Sequence, residues 1–73
     1  MTLIKLSEVK KGNKVMFNEG FGADTNQIYI ADSNAETTKT GRVKPIHFKN
    51  KAGHFCHGTG NSAVVDFKVN LIN

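Results

Sequence analysis

From Val65 to Leu71 the chain alternates without a break: Val65, Phe67, Val69 and Leu71 are apolar, while Asp66, Lys68 and Asn70 between them are polar. A period of two sends the two sets to opposite faces of an extended strand, one toward a core and one toward water. No stretch shows the 3.6-residue period that would bury one stripe of an amphipathic helix. The other apolar runs, Lys14–Asn18, Gln27–Ala31 and Ile46–Phe48, are just as short, and turn-forming Gly, Asn and Asp residues separate them. Four to five short antiparallel strands with no crossover helix can bury their apolar sides only by curling the sheet onto itself. The expected fold is therefore an all-β, small SH3-like barrel, with an OB-like barrel as the alternative. At 73 residues the chain makes one domain, residues 1–73, and buries about 60% of the surface its unfolded form exposes.

The same alternation assigns faces. Val15 and Phe17 point inward from one strand; Ile28 and Ile30 point inward from the next, with Tyr29 outward; Ile46 and Phe48 point inward from a third, with His47 and Lys49 outward. Leu3 to Val9 reads as a short strand or a helical turn, with Ser7 placed to cap the turn Ser7–Lys10. Phe21, between Gly20 and Gly22, folds back as a lid over the core, and polar Asp32–Thr40 forms a loop. Pro45 has no N–H to give a ladder, which confines its stretch to a sheet edge or a bulge. Asn50-Lys51-Ala52-Gly53 carries the residue preferences of a type I turn. A two-residue loop there sets Phe48 opposite Phe55 and His47 opposite Cys56, and adds Phe55 to the core; a longer loop with a bulge shifts that register. Gly58 to Asn61 reads as a further turn.

All three histidines and the only cysteine lie between His47 and His57. In the two-residue register His47, His54 and Cys56 share a hairpin face, but a structural zinc site takes four donors and there is no C-x-x-C pair, so no metal is expected. Cys56 and His57, adjacent on a strand, point apart, and no acid is placed to orient an imidazole; nucleophilic catalysis lacks its third group. Gly58-Thr59-Gly60-Asn61-Ser62 lacks the Lys-Ser/Thr pair and the helix of a phosphate loop. The expectation is a non-enzymatic protein without a cofactor. A single cysteine forms no internal disulfide, which suits a reducing cytoplasm, and Met1–Glu8 has no apolar run long enough for a leader or a membrane span.

Charge points to a partner class. Ten Lys and Arg residues against six acids give a net charge of +4, which favours polyanions through long-range attraction. Lys10, Lys11 and Lys14 cluster near the first confident strand; Arg42, Lys44, Lys49 and Lys51 line the central hairpin beside His47. Together with an outward Tyr29 as a stacking ring, these are the candidate contact residues for nucleic acid.

Leu6-Ser7-Glu8-Val9-Lys10-Lys11-Gly12-Asn13-Lys14-Val15 resembles the opening of SH3-like barrels, where a leucine-led turn and a glycine precede the first strand. With Phe17, Asn18, Gly20-Phe21-Gly22, Lys39-Thr40-Gly41-Arg42 and an aromatic-Cys strand, the chain also resembles short uncharacterised proteins of tailed bacteriophages. Val43 stands where that resemblance leads one to expect a proline. The resemblance implies a phage accessory protein acting in the host cytoplasm. The alternative partner is then a host protein, docked near Pro45 or on Phe21, or a second copy of the chain paired through an open sheet edge.

Overall fold

A computed structural model describes residues 1–59 and 63–72, and it builds them around one antiparallel sheet of six strands. These are β1 (Thr2–Lys5), β2 (Lys14–Met16), β3 (Tyr29–Ala31), β4 (His47–Lys49), β5 (Phe55–Gly58) and β6 (Lys68–Ile72), in the spatial order β1-β6-β2-β3-β4-β5. The all-β class is as expected, in a small barrel-like form around a single buried cluster, with β1 as an additional strand. Only the second half of the alternating segment lies inside the sheet: β6 starts at Lys68 and pairs with β1 through Thr2↔Leu71 and with β2 through Val15↔Leu71. Val65 and Asp66, expected in the same strand, form a turn closed by the Phe67 N–H on the Val64 carbonyl. Val69 is fully buried, and Val65, Phe67 and Leu71 pack against the same cluster. Among the described residues no helix is long and apolar enough to cross a membrane.

A 3-10 turn, Leu6–Glu8, joins β1 to β2 and buries Leu6. Ser7 does not cap it. The Glu8 carboxylate accepts from the Lys5 N–H at 2.9 Å, while the Ser7 hydroxyl donates to the Val65 carbonyl at 3.2 Å and ties the turn to the segment before β6.

Val15, Phe17, Ile46 and Phe48 are all buried, as their alternation predicts. Tyr29 is not outward. It is 3% exposed, whereas Ile28 and Ile30 are half-buried on the opposite face. Val15 sits directly opposite Tyr29, and directly opposed residues of an antiparallel pair share a face, so an inward Val15 carries Tyr29 inward with it. The ring packs edge-on against Phe17 at 5.5 Å, and its hydroxyl accepts from the Asp24 N–H at 2.9 Å, so the polar tip is satisfied. Phe21, with φ 57°, covers the core edge as expected and meets Phe67 at 5.1 Å.

The β4–β5 hairpin closes through the longer loop. The Gly53 N–H donates to the Asn50 carbonyl at 3.0 Å, the Asn50 N–H donates to the His54 carbonyl at 2.9 Å, and Gly53 takes φ 85°. Asn50 Oδ1 also accepts from the N–H groups of Ala52 and His54. A type I turn followed by a left-handed glycine carries its own bulge, here Gly53–His54 opposite Asn50, which sets Lys49 opposite Phe55. The ladder then has a second bulge, because Phe48 pairs with His57 and leaves Cys56 as an extra residue. The two-residue register, Phe48 with Phe55 and His47 with Cys56, is thereby overturned. Phe55 faces solvent at 64% exposure and is no part of the core. His57 takes the inward place, its ring 5.6 Å from Phe17 and 5.3 Å from Tyr29.

His57 Nε2 is buried with no hydrogen-bond partner among the described residues. An orphaned polar atom carries its desolvation cost with no return, so His57→Phe, which keeps the ring and removes the nitrogen, is expected to stabilise the fold by about 1 kcal/mol. Thermal denaturation should show a rise of about 4–8 °C; an unchanged or lower midpoint would refute it.

Pro45 does not mark a sheet edge, because β4 is paired on both sides; the terminal strands are β1 and β5. The chain just after Pro45 is fixed instead by the buried Thr59, whose hydroxyl accepts from the Ile46 N–H at 2.9 Å. The polar segment before it is tied down through the bridges Thr37↔Val43 and Arg42↔Val64. Of the expected turn and glycine-rich loop at 58–62, Gly60, Asn61 and Ser62 lie outside the described residues.

Candidate functional site

Pairing across five strands builds a row on the outer face of the sheet. Ile72 of β6 opposes Lys14 of β2, Lys14 opposes Ile30 of β3, Ile30 opposes Lys49 of β4, and Lys49 opposes Phe55 of β5. Opposed residues share a face, so apolar and cationic side chains alternate along a line perpendicular to the strands. At one end the Lys49 ammonium stands 5.0 Å from the Phe55 ring centroid, a cation–π distance, and the His47 ring meets Phe55 edge-on at 6.2 Å. Toward the other end a depression of about 450 Å³ has Ile28, Ile30 and Ile72 as its floor and Lys14 and Lys51 beside them.

Asp32 follows Ile30 by two residues and shares its face. Its carboxylate lies 2.8 Å from the Lys49 ammonium. That hydrogen bond is the largest influence holding the Asp32 carboxyl below its ordinary value; partial burial opposes it, and Lys11 and His47 add to it. A carboxylate with a lowered folded-state pKa contributes stability that is fully present above its unfolded value and is lost as pH falls through the folded one. The wild-type melting temperature should therefore fall more steeply than that of Asp32→Asn as pH drops below about 4. Carbon-detected NMR titration should place the Asp32 midpoint under that of an unpaired aspartate, and a midpoint at or above it contradicts the pairing.

Of the residues anticipated as contacts, Lys14, His47, Lys49 and Lys51 meet on or around this face, and Lys11 lies within electrostatic reach of Asp32. Lys10 is exposed at the end of the turn that Asn13 Oδ1 closes on its N–H. Arg42 and Lys44 belong to the separate ladder at 36–44, where Lys44 pairs with Glu36 at 3.5 Å. Tyr29 is removed from the set, because its ring is in the core and cannot stack on a base. Phe55, Ile28, Ile30 and Ile72 take its place on the exposed face. The apolar run Ile28-Tyr29-Ile30 carried the signal for this: a strand apolar at consecutive positions offers apolar surface on both sides.

The His and Cys residues do not converge. Cys56 is exposed, its thiol 3.8 Å from the Phe48 carbonyl and 3.6 Å from Gln27 Nε2, while His57 points into the core cluster. Among the described residues no group of three or more His, Cys, Asp or Glu side chains could hold a metal ion. Among the described residues the outer face therefore brings together cations, the accessible Phe55 ring and a half-buried apolar patch. Comparison with known proteins finds no matching family model, no matching curated protein and no matching solved structure.

Proposed function

We propose that the protein is a non-enzymatic module that binds single-stranded nucleic acid on the outer face of its sheet. The observation that carries this reading is Phe55, 64% exposed, with the Lys49 ammonium at its ring and Lys14 on the same face. Base stacking on an aromatic ring combined with phosphate neutralisation is how sheet surfaces hold single strands, and stacked duplex bases are not free to reach such a ring. The net charge of +4 supplies long-range attraction. In line with the phage resemblance of the sequence, the module would serve as an accessory protein in the host cytoplasm.

Fluorescence anisotropy with a labelled single-stranded oligonucleotide at low salt tests the reading. The logarithm of the wild-type binding constant should fall linearly with log salt concentration, with a slope of about −0.7 per phosphate neutralised. Phe55→Ala should weaken binding about 5- to 150-fold, the range for losing one stacked base. Absence of binding at low salt, or a Phe55→Ala variant equal to wild type, refutes the proposal.

One observation favours a second reading: β5 is a terminal strand of the sheet and carries Phe55 and Cys56 exposed. An extended segment of a host protein, or β5 of a second copy, could add to that edge. A protein partner captured from host extract whose binding is insensitive to salt would support it over the nucleic-acid reading.

A further inference from the structure

We infer that the row across the sheet is a two-base track, in which one base stacks on Phe55, the adjoining phosphate meets Lys49, and a second base settles on Ile30 between Lys14 and Lys51. The inference rests on the nucleic-acid reading and deepens it by fixing the path of the strand and the number of bases held.

Three observations carry it. First, the row reads apolar, cationic, apolar, cationic, apolar from Phe55 to Ile72, the same alternation that base and phosphate present along an extended single strand. Phe55 and Ile30 are two strands apart, about 10 Å, with Lys49 between them. Second, the depression at Ile30, about 450 Å³, has ample room for a base and is lined by isoleucines on β6 and beside and within β3. Lysines stand on two sides of it, one on β2 and one in the turn after β4, so charge complementarity selects an anionic occupant with an apolar part. Third, the Lys49 ammonium stands 5.0 Å from the Phe55 ring and 2.8 Å from the Asp32 carboxylate, so the cation beside the ring is held in place, and a phosphate there competes with Asp32 for it.

A nucleic-acid face that stacked a base on Phe55 alone would treat the rest of the strand as charge. The two-base track differs in one measurable respect. Wild type and Phe55→Ala are each titrated with a base-bearing single-stranded oligonucleotide and with an abasic one of equal length and charge. Wild type should prefer the base-bearing strand strongly, and Phe55→Ala should keep a smaller but measurable preference, from the base buried against Ile30. Adding Ile30→Ser, or independently Ile72→Ser near the end of β6, should abolish that remainder, with circular dichroism reporting that each variant is folded. A Phe55→Ala variant that binds the two oligonucleotides equally overturns the second base while the single-stack reading stands. A wild type that binds neither overturns both.

Discussion

Phe17→Ala is expected to cost about 3–5 kcal/mol, the range for deleting a large buried aromatic side chain. Phe17 is 1% exposed and is the ring on which the others converge: Phe48 at 5.4 Å, Tyr29 at 5.5 Å, His57 at 5.6 Å, Phe67 at 6.4 Å and Phe21 at 6.5 Å. These neighbours come from β3, β4, β5, the loop between β2 and β3 and the residue just before β6, so the cavity left by alanine cannot close without moving several strands together. A chain of this size has a total stability of about 4–11 kcal/mol. The loss is therefore about a quarter of the fold's stability or more, and the melting temperature should fall by about 20 °C. Phe55→Ala is the control: an exposed ring of the same type, whose removal should leave stability within about 0.5 kcal/mol. A Phe17→Ala protein that melts within a few degrees of wild type would contradict the central place of this ring.

Gly20→Ala should be nearly as damaging for a different reason. Gly20 has φ 93°, and a Cβ built there would stand 2.9 Å from Phe67 Cζ and 3.0 Å from its Cε1. The substitution both strains the backbone and pushes a ring that packs against Phe21 and Phe17. Gly22, at φ 69°, has nothing within 4 Å of the same atom, so its alanine variant carries strain alone. The expected losses are about 1–2 kcal/mol for Gly22→Ala and about 2–4 kcal/mol for Gly20→Ala, once the crowding of a packed ring is added. Urea unfolding of the two variants, compared at equal slope, separates the effects; equal midpoints would show that the ring yields freely.

Single-residue patterns made some of this readable from the sequence and hid the rest. Where one polar residue separates two apolar ones, as at Val15-Met16-Phe17 in loose form or at Ile46-His47-Phe48 and Phe67-Lys68-Val69, alternation identified the buried face. At Ile28-Tyr29-Ile30 both faces are apolar, and the choice passed to cross-strand pairing with β2, which local pattern does not contain. The half-buried Ile28 and Ile30 that follow from that choice line the depression on the outer face, so the misassigned strand and the unforeseen face have one cause. Phe55 and His57 have the same origin in another form: the side of Phe55 is set by the three-residue closure of the turn, and that of His57 by the bulge at Cys56. The basic residues were legible as a set, but their division into those on the sheet face and the Arg42–Lys44 pair of the side ladder depends on topology alone.

The turn between Asn50 and His54 also makes the hairpin sensitive to chain length where it is indifferent to chemistry. Lys51, Ala52 and Gly53 are exposed, and the turn is held mainly by main-chain bonds and the Asn50 carboxamide, so many side chains would serve at 51 and 52. Deleting one residue there would leave two residues to close the strands, and the left-handed first position that a two-residue hairpin turn demands would fall to Lys51 or Ala52 instead of a glycine. The segment is therefore open to drift by substitution and closed to drift by insertion or deletion, and descendants of this chain should vary the letters of the tip while keeping its count.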